Sequence, residues 1–312
     1  CIGVTKIFTY NPGQLAGIFF NYMPTKNKIS RKPVNELGIA IQGYEGSFHQ
    51  VAARTIFGKD VSVVPCATFS ALIKKAENKK ESAGAMMAIE NSIAGSILPN
   101  YNLLLGSKLK VTGEVYLSIS QNLLVNKGVQ LSDIKEVHSH PMALLQCLDY
   151  LEKNNWKLVE SEDTALSAKH LQQHRSKHVA AVASKLAAEL FNLDIIGPDI
   201  QTQKNNFTRF LVLERATDVV EDPLSNKASI YFQTNHTKGV LAKVLTQIAK
   251  FDVNLTKLQS MPIPGSNFKY GFFADMEFAQ RKKLDQVLAA ITGLTNSVKI
   301  FGIYQKGKMQ KG

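Results

Sequence analysis

The sequence predicts an α/β protein in two parts. Over residues 38–213, short apolar strands alternate with amphipathic helices through short loops, a rhythm typical of largely parallel sheets covered by helices. A polar linker at 214–226, which includes Pro223, interrupts this rhythm. After the linker, the elements of residues 227–305 follow the order βαββαβ, which is the order of the ferredoxin-like split motif.

The first part is delimited by apolar runs and by the turn residues between them. Residues 39–41 predict a buried strand, and the glycine-rich loop 43–47 leads into a helix with Ser47 as its N-cap. Pro141 fits the first turn of a later helix, capped by Ser139 or by the histidine between them. The other predicted strands are 61–64, 84–89, 115–125, 134–139, 179–182, 193–196 and 207–213, and the predicted helices are 48–57, 68–76, 98–105, 141–151 and 183–191.

The second part shows the periodicity of 2 in its strands and of 3.6 in its helices. Pro262 and the Pro264-Gly265 pair mark a turn between two of its strands. The predicted strands are 228–233, 253–261, 269–278 and 298–304, and the predicted helices are 239–251 and 281–292. The last seven residues, 306–312, are expected to form a basic tail.

The net charge of +12 does not indicate nucleic-acid binding, because most of the excess lies at the two ends of the chain. Residues 1–37 carry +4 and lack a periodic pattern, so we expect a disordered extension. Lys299 and the lysines of the basic tail add another +4. The three widely spaced cysteines give no disulfide framework, and no apolar run approaches the roughly 20 residues of a membrane span. A reducing cytoplasm is the expected compartment.

Polar side chains within apolar runs mark the candidate site. Glu90, Asn91 and Ser92 follow a buried strand, at the carboxyl end where open α/β sheets bind ligands, although turn formation also explains Asn91 and Ser92. Thr208 and Arg209 interrupt a second apolar strand. A buried guanidinium needs an anionic partner, so Arg209 either forms an internal salt bridge or binds an anion.

Two groups of histidines have the spacing of metal ligands. His138 and His140 share a strand face but have no evident third ligand. His170, His174 and His178 are spaced four apart, yet basic residues crowd the segment, which favours a solvated helix end. We therefore expect no metal and no cofactor.

Five stretches of the first part occur in an order that is highly specific, and two stretches of the second part accompany them. In the first part they are QGYEGSF at 42–48, IENSIAG at 89–95, SHPMALLQC at 139–147, ASKLAAEL at 183–190 and NFTRF at 206–210, and in the second part GVL at 239–241 and NLTKLQSMP at 254–262. On these residues the chain resembles the prephenate dehydratase family over about 38–304. The second part is similar to the ACT regulatory domain of those enzymes.

The resemblance implies a catalytic region, 38–213, folded like a type II periplasmic-binding protein with its active site between two α/β lobes. One lobe is expected at about 38–112 with 190–213, and the other at 113–189. It also implies that prephenate loses its ring hydroxyl and a carboxylate to give phenylpyruvate, water and carbon dioxide, a step toward phenylalanine. Arogenate dehydration and a non-enzymatic two-lobe ligand sensor are the alternatives.

The motifs also imply roles for individual residues. The Thr208 hydroxyl is expected to hydrogen-bond the departing ring oxygen or to relay a proton from Glu90, and Arg209 is expected to clamp a substrate carboxylate. Five further residues are expected to bind substrate: Asn91, Ser92, Ser139, Gln146 and Asn206.

The ACT resemblance implies a phenylalanine site at the interface of a homodimer or homotetramer. The expected effector residues are Gly239, Val240, Leu241, Asn254, Leu258 and Ser260. The sequence departs from the family at Gln259 and Met261, where Glu and Arg are typical, and at 236–239, so charged partners for the effector are lost. Ala88 and Met142 likewise stand where Pro and Gln are usual.

Overall fold

The strands and helices come from a computed structural model, which describes residues 37–220, 222–263, 265–267 and 269–311. The expectation for residues 1–37 therefore lies outside the described residues, except at Leu37. The strands are β1 (Ile39–Gln42), β2 (Val63–Cys66), β3 (Gly84–Asn91), β4 (Gly95–Ser96), β5 (Leu109–Ser118), β6 (Asn122–Val125), β7 (Glu136–Ser139), β8 (Lys157–Glu160), β9 (Val179–Ala183), β10 (Asp194–Gly197), β11 (Phe207–Arg215), β12 (Lys227–Thr234), β13 (Asn254–Pro262), β14 (Tyr270–Glu277), β15 (Thr295–Tyr304) and β16 (Met309–Gln310).

The α-helices follow the predicted apolar stripes, and several begin at a side-chain cap. They are α1 (Phe48–Phe57), α2 (Phe69–Glu77), α3 (Leu98–Gly106), α4 (Pro141–Gln146), α5 (Leu148–Leu151), α6 (Thr164–His174), α7 (Lys185–Phe191), α8 (Val240–Lys250) and α9 (Arg281–Thr292). Thr68, Asp163 and Ser184 cap α2, α6 and α7 by accepting backbone N–H groups. The expected single helix over 141–151 is instead two, because the chain turns at Cys147 and the Gln146 carbonyl accepts from Thr202 N at 2.9 Å.

The first lobe is a seven-stranded mixed sheet in the order β16-β5-β11-β3-β1-β2, with β4 on β3. Its strands β1, β2 and β3 are parallel, as the βαβ rhythm predicts. By contrast, β11 is antiparallel to both of its neighbours, β3 and β5. The carboxyl end of β3 therefore lies beside the amino end of β11.

The second lobe is a five-stranded sheet in the order β10-β6-β9-β7-β8. The predicted lobe boundary at 112/113 is wrong, because it falls inside β5, which pairs with β11 over its whole length from Leu109 to Ser118. The predicted return at residue 190 is also too early, because β10 pairs with β6 of the second lobe. The chain crosses between the lobes after Ser118 and again between 198 and 206.

The C-terminal unit, residues 227–304, is an antiparallel sheet in the order β13-β14-β12-β15, with α8 and α9 on one face. The order and the βαββαβ succession are those of the ferredoxin-like motif. Most predicted element ends are within one residue of those observed, although β15 begins at Thr295 rather than at 298.

The other face of this sheet packs directly on the first lobe. One continuous apolar core contains residues of both: Tyr231, Met261, Phe273, Phe301 and Tyr304 from the C-terminal unit, and Tyr101, Leu104, Leu109 and Val111 from the first lobe. Part of the predicted basic tail forms a strand, because residues 309–310 are β16, which pairs with β5. The C-terminal unit therefore covers the lobe that carries β3 and β11.

Candidate active site

A β-bulge at Ile89 sets which side chains meet across β3 and β11. The opposed pairs are Phe210 with Ala88, Arg209 with Glu90 and Thr208 with Asn91. Opposed residues share one face of a sheet and successive residues alternate, so Thr208 and Asn91 lie on one face and Arg209 and Glu90 on the other. Without the extra residue, Glu90 would stand opposite Thr208. We call Thr208 and Asn91 the active-site pair.

Two buried side chains satisfy the backbone groups around the bulge. The Ala88 N–H donates to His49 Nε2 at 3.3 Å, and the Ala88 carbonyl accepts from Asn100 Nδ2 at 2.7 Å. The Ile89 carbonyl accepts from Ile97 N at 3.0 Å. Burial lowers the pKa of His49 to about 3, so the ring is neutral at physiological pH and can accept a hydrogen bond. Sequence patterns indicated neither residue, since both occupy ordinary helix positions.

The orientation of the Asn91 amide is fixed by its surroundings. Its Oδ1 accepts from the N–H groups of Ile93 and Ala94, each at 2.9 Å, so the turn expected for Asn91 is present. Its Nδ2 must then donate, and it lies 3.0 Å from Thr208 Oγ1 and 2.7 Å from Asn206 Oδ1. Because Thr208 Oγ1 accepts from Asn91, the hydroxyl hydrogen of Thr208 is left to donate to another oxygen.

The same network reaches the second lobe. Asn206 is fully buried, and its Nδ2 donates to Gln146 Oε1 at 3.2 Å, at the end of α4. Three side-chain amides, those of Gln146, Asn206 and Asn91, therefore connect the second lobe to the Thr208 hydroxyl. Since Oε1 of Gln146 accepts, its Nε2 keeps two hydrogens that can be donated.

Ser92 and Ser139 bind backbone groups. Ser92 Oγ accepts from Phe207 N at 2.9 Å while its own N–H donates to the Phe207 carbonyl at 2.8 Å, so it ties the turn after β3 to the start of β11. Ser139 is fully buried and donates to the Val182 carbonyl at 2.6 Å, between two strands of the second lobe. The predicted substrate contact of Ser139 is therefore replaced by a contact inside the sheet.

The expectation that Arg209 clamps a substrate carboxylate is wrong, because the residue is only 4% exposed and its guanidinium contacts the C-terminal unit. Its Nε donates to Glu114 Oε2 at 2.7 Å, its Nη1 pairs with Asp275, and its Nη2 donates to Tyr304 Oη at 3.1 Å. Lys227 Nζ also binds Glu114, at 2.9 Å. Of the two alternatives left open by the sequence, the internal salt bridge is the one formed.

The charges in this cluster stabilise one another. Burial by itself would lower the pKa of Arg209, but the neighbouring charges, Asp275 foremost, hold it well above its usual value. Burial would raise the pKa of Asp275, yet the charge and hydrogen bond of Arg209, with a hydrogen bond from Ser229, bring it below its usual value. Both groups are therefore ionised at neutral pH.

The proton relay expected from Glu90 to Thr208 is also wrong, because the bulge places the two side chains on opposite faces of the sheet. The Glu90 carboxylate pairs instead with Lys257 Nζ, on β13 of the C-terminal unit. Lys257 also donates to Ser96 Oγ at 2.6 Å. One pattern could have indicated the partner of Arg209, since Asp275 is a charged residue within an apolar stretch of β14.

The glycine-rich loop 43–47 joins the two lobes. Gly46, at φ +89°, lies against α7, and its carbonyl accepts from Ser184 Oγ at 2.5 Å. Tyr44 Oη donates to Glu162 of the second lobe at 2.6 Å. Ser47 occupies the predicted N-cap position of α1, but its side chain makes no capping bond.

The expected effector residues lie on two elements of the C-terminal unit. Gly239, at φ +77°, precedes α8, whose first residues are Val240 and Leu241. Asn254, Leu258 and Ser260 are exposed on the edge strand β13. Met261, on the same strand, points the other way and is buried in the core shared with the first lobe.

Across the described ranges no three His, Cys, Asp or Glu side chains are grouped as metal ligands. The ring of His138 instead lies 3.0 Å from Glu136, and that of His178 lies 2.9 Å from the Asp133 carbonyl. None of the described helices combines the length and the apolar character needed to cross a membrane.

Comparison with known proteins places the chain in a family. The sequence profile of the prephenate dehydratases matches residues 39–218. The chain is 34% identical over 285 residues to the chloroplastic arogenate dehydratase/prephenate dehydratase 1 of Arabidopsis thaliana, covering 86% of this chain and 72% of that protein. It is 32% identical over 271 residues to the bifunctional chorismate mutase/prephenate dehydratase of Enterobacter agglomerans, covering 85% and 70%.

The fold is also that of a solved relative. The structure of a prephenate dehydratase from Arthrobacter aurescens, in complex with L-Phe, superposes with a TM-score of 0.76 at 24% identity, covering 86% of this chain and 89% of that one. Together with the sheets described above, this likeness confirms the predicted fold class of a two-lobed α/β region followed by a ferredoxin-like unit. The chain therefore belongs to the prephenate dehydratase family of enzymes.

Proposed function

We propose that this enzyme converts prephenate to phenylpyruvate, with the Thr208 hydroxyl hydrogen-bonding the ring oxygen that departs. The observation that carries the proposal is the Asn91 Nδ2 to Thr208 Oγ1 contact of 3.0 Å, in which Thr208 is the acceptor. A hydroxyl that accepts a hydrogen bond becomes a stronger donor, because hydrogen bonds in a chain polarise one another. The hydroxyl hydrogen of Thr208 is then available to donate to the departing ring oxygen of the substrate.

The chemistry suits such a donor. The ring hydroxyl leaves as the ring carboxylate departs as carbon dioxide, and the electron pair of the broken carbon–carbon bond completes the aromatic ring. Prephenate has two negative charges and phenylpyruvate has one, so one proton is taken up when hydroxide becomes water. Thr208 is too weak an acid to supply that proton, and Glu90 lies on the other face. Thr208 therefore stabilises the developing charge on oxygen, and solvent supplies the proton.

The remaining contacts with substrate are assigned to the amides. With Arg209 engaged by Glu114 and Asp275, the free hydrogens of Gln146 Nε2 are donors available to a substrate carboxylate at the junction of the lobes. Arogenate is the rival substrate, since relatives are named for both activities. Comparing kcat/KM on prephenate and arogenate decides between them, and no product from either would favour a ligand sensor.

The test of the Thr208 role uses a matched pair of variants. Thr208→Val keeps the shape but removes the hydroxyl, and kcat on prephenate should fall about 10²–10³-fold, the usual cost of removing one transition-state donor, with KM little changed. Thr208→Ser keeps the hydroxyl and should retain most of the activity. A Thr208→Val enzyme with kcat within a few-fold of the unaltered enzyme would contradict the assignment.

We also propose that L-phenylalanine binds at the edge of the C-terminal unit and regulates the enzyme as an ACT effector. Gly239 begins α8 without a side-chain cap, so first-turn N–H groups can hold a carboxylate, and Asn254, Leu258 and Ser260 are exposed on the edge strand β13. The Arthrobacter relative was solved with L-Phe. Calorimetry on the purified protein should detect saturable L-phenylalanine binding, and the absence of heat would exclude it.

Two further assignments complete the proposal. A homodimer or homotetramer is proposed because β13 is an open edge strand of its sheet, to which a second copy can add. A cytoplasmic location is proposed because Cys66 and Cys147 are unpaired and buried, as in a reducing compartment.

A further inference from the structure

Two residues of the C-terminal unit hold the two strands that carry the active-site pair. Asp275 on β14 pairs with Arg209 on β11, and Lys257 on β13 pairs with Glu90 on β3. Arg209 and Glu90 are themselves opposite each other, so both contacts fall on one rung of the β3–β11 ladder. The next rung is the active-site pair, on the other face of the sheet.

The Arg209 side of this rung is almost fully buried, whereas the side chains of Lys257 and Glu90 on the other side are 15% and 29% exposed. The Arg209 guanidinium uses all three of its nitrogens on Glu114, Asp275 and Tyr304, and the side chains of Arg209 and Asp275 are 5% and 8% exposed. Neighbouring rungs are only about 3.4 Å apart along a strand. A displacement of the Arg209–Glu90 rung therefore also displaces the neighbouring Thr208–Asn91 rung.

We propose that Lys257 and Asp275 are positioning residues for the dehydratase reaction, acting through Glu90 and Arg209 on the active-site pair. The proposal rests on the function proposed above. In this arrangement the C-terminal unit is part of the frame that aligns Thr208 Oγ1 with its substrate. A misalignment of about 1 Å at a reacting group can cost about 10²-fold in rate, so small changes at this rung have large effects.

The strand β13 carries both Lys257 and two of the expected effector residues, Leu258 and Ser260. Lys257 stands on it beside Leu258, which faces the opposite way, and Ser260 follows two residues later on the side of Leu258. A ligand that shifts β13 at Leu258 and Ser260 therefore shifts Lys257 and, through it, Glu90. An effector bound at β13 could change the geometry of the active-site pair by this route.

The chain supplies a control for an interface contact that does not reach these strands. Lys299 on β15 donates to the carbonyls of Leu105 and Ser107, at 2.7 and 3.1 Å, at the end of α3. It joins the same two parts of the molecule as Lys257 does, but these hydrogen bonds go to the end of α3 and not to β3 or β11. Lys299→Met is therefore the matched control for Lys257→Met.

The experiment measures turnover and the hydrogen-exchange protection of individual backbone amides on the 312-residue chain. In Lys257→Met and Asp275→Asn, kcat on prephenate should fall roughly tenfold or more while KM changes only a few-fold. Lys257→Arg, which can still pair with Glu90, should restore most of kcat. Hydrogen exchange at the Ile93 and Ala94 amides, which Asn91 holds, should speed up on the order of tenfold in Lys257→Met.

Lys299→Met should leave kcat and exchange at these amides within about twofold of the unaltered enzyme, even if its Tm falls. The proposal is overturned if exchange in Lys257→Met is unchanged, or if Lys299→Met speeds exchange and lowers kcat as much. Because hydrogen exchange needs no substrate, the exchange comparison remains decisive even if the unaltered enzyme forms no product, a result that would refute the proposed function alone. If Asp275→Asn does not fold, Lys257→Met and Lys257→Arg still decide the question.

Discussion

His49 should make the stability of this enzyme fall as the pH is lowered below about 6.5. Burial gives the ring a folded-state pKa of about 3, whereas a histidine in the unfolded chain has a pKa of about 6.5. Between these values the folded protein binds fewer protons at this site than the unfolded chain does. Acid therefore favours unfolding, and the contribution is fully present only above the unfolded pKa.

The magnitude follows from the two pKa values. Each unit below 6.5 costs about 1.4 kcal/mol, so the loss from this residue is about 1.4 kcal/mol at pH 5.5 and about 2.7 kcal/mol at pH 4.5. Protonation at Nε2 would also remove the acceptor of the Ala88 N–H at the bulge. The imidazole of His49 is thus hydrogen-bonded to β3, the strand that also carries Asn91.

The measurement compares urea unfolding at pH 7.5 and pH 5.5 in the unaltered enzyme and in His49→Gln. Glutamine does not titrate, and its Oε1 can still accept from Ala88 N, so the variant should lose about 1.4 kcal/mol less between the two pH values. Other titrating groups are common to both proteins and cancel in the difference. Equal pH dependence in the two proteins would refute the assignment of a buried, neutral His49.

Three other changes test the interface and the bulge. Arg209→Lys should destabilise the fold by about 3 kcal/mol, because one ammonium cannot satisfy both Glu114 and Asp275. The main effect should therefore be a lower Tm and not a higher KM. A variant with an unchanged Tm and a raised KM would support the role of Arg209 in binding a substrate carboxylate. Asn100→Leu leaves the Ala88 carbonyl buried without its donor and should cost about 1–3 kcal/mol by urea unfolding. Deleting residues 308–312 removes β16 from the edge of β5 and should lower Tm while leaving kcat within about twofold; an unchanged Tm would show that β16 adds no stability.

The parts of the fold that local patterns specify were predicted well. The C-terminal unit repeats apolar residues at helical and strand spacings, and its turn at Pro262 is marked by proline, so its element ends fall close to those observed. The lobe boundary was not predictable in the same way. The run 109–118 forms one long strand because β11, nearly 100 residues later in the chain, pairs along all of it.

The candidate site was predicted as a set of residues but not as an arrangement. Thr208, Asn91, Asn206 and Gln146 do come together, as the motifs indicated. The faces on which residues project depend on a single bulge, and a short stretch such as Ile-Glu-Asn gives no sign of the extra residue. Among the partners of Arg209 and Glu90, Asp275 and Lys257 lie 66 and 167 residues away, in a unit that the polar linker indicated to be separate.

The ion pairs at the interface between the C-terminal unit and the first lobe also limit how this enzyme can be engineered. A chain cut at the linker would leave the buried Arg209 and Glu114 facing water beside the apolar surface of Tyr101 and Leu104, which invites aggregation. A chimaera that takes its C-terminal unit from a relative must supply an acid at 275 and a base at 257. Exchange of C-terminal units is therefore constrained by the two charges that pair with Arg209 and Glu90.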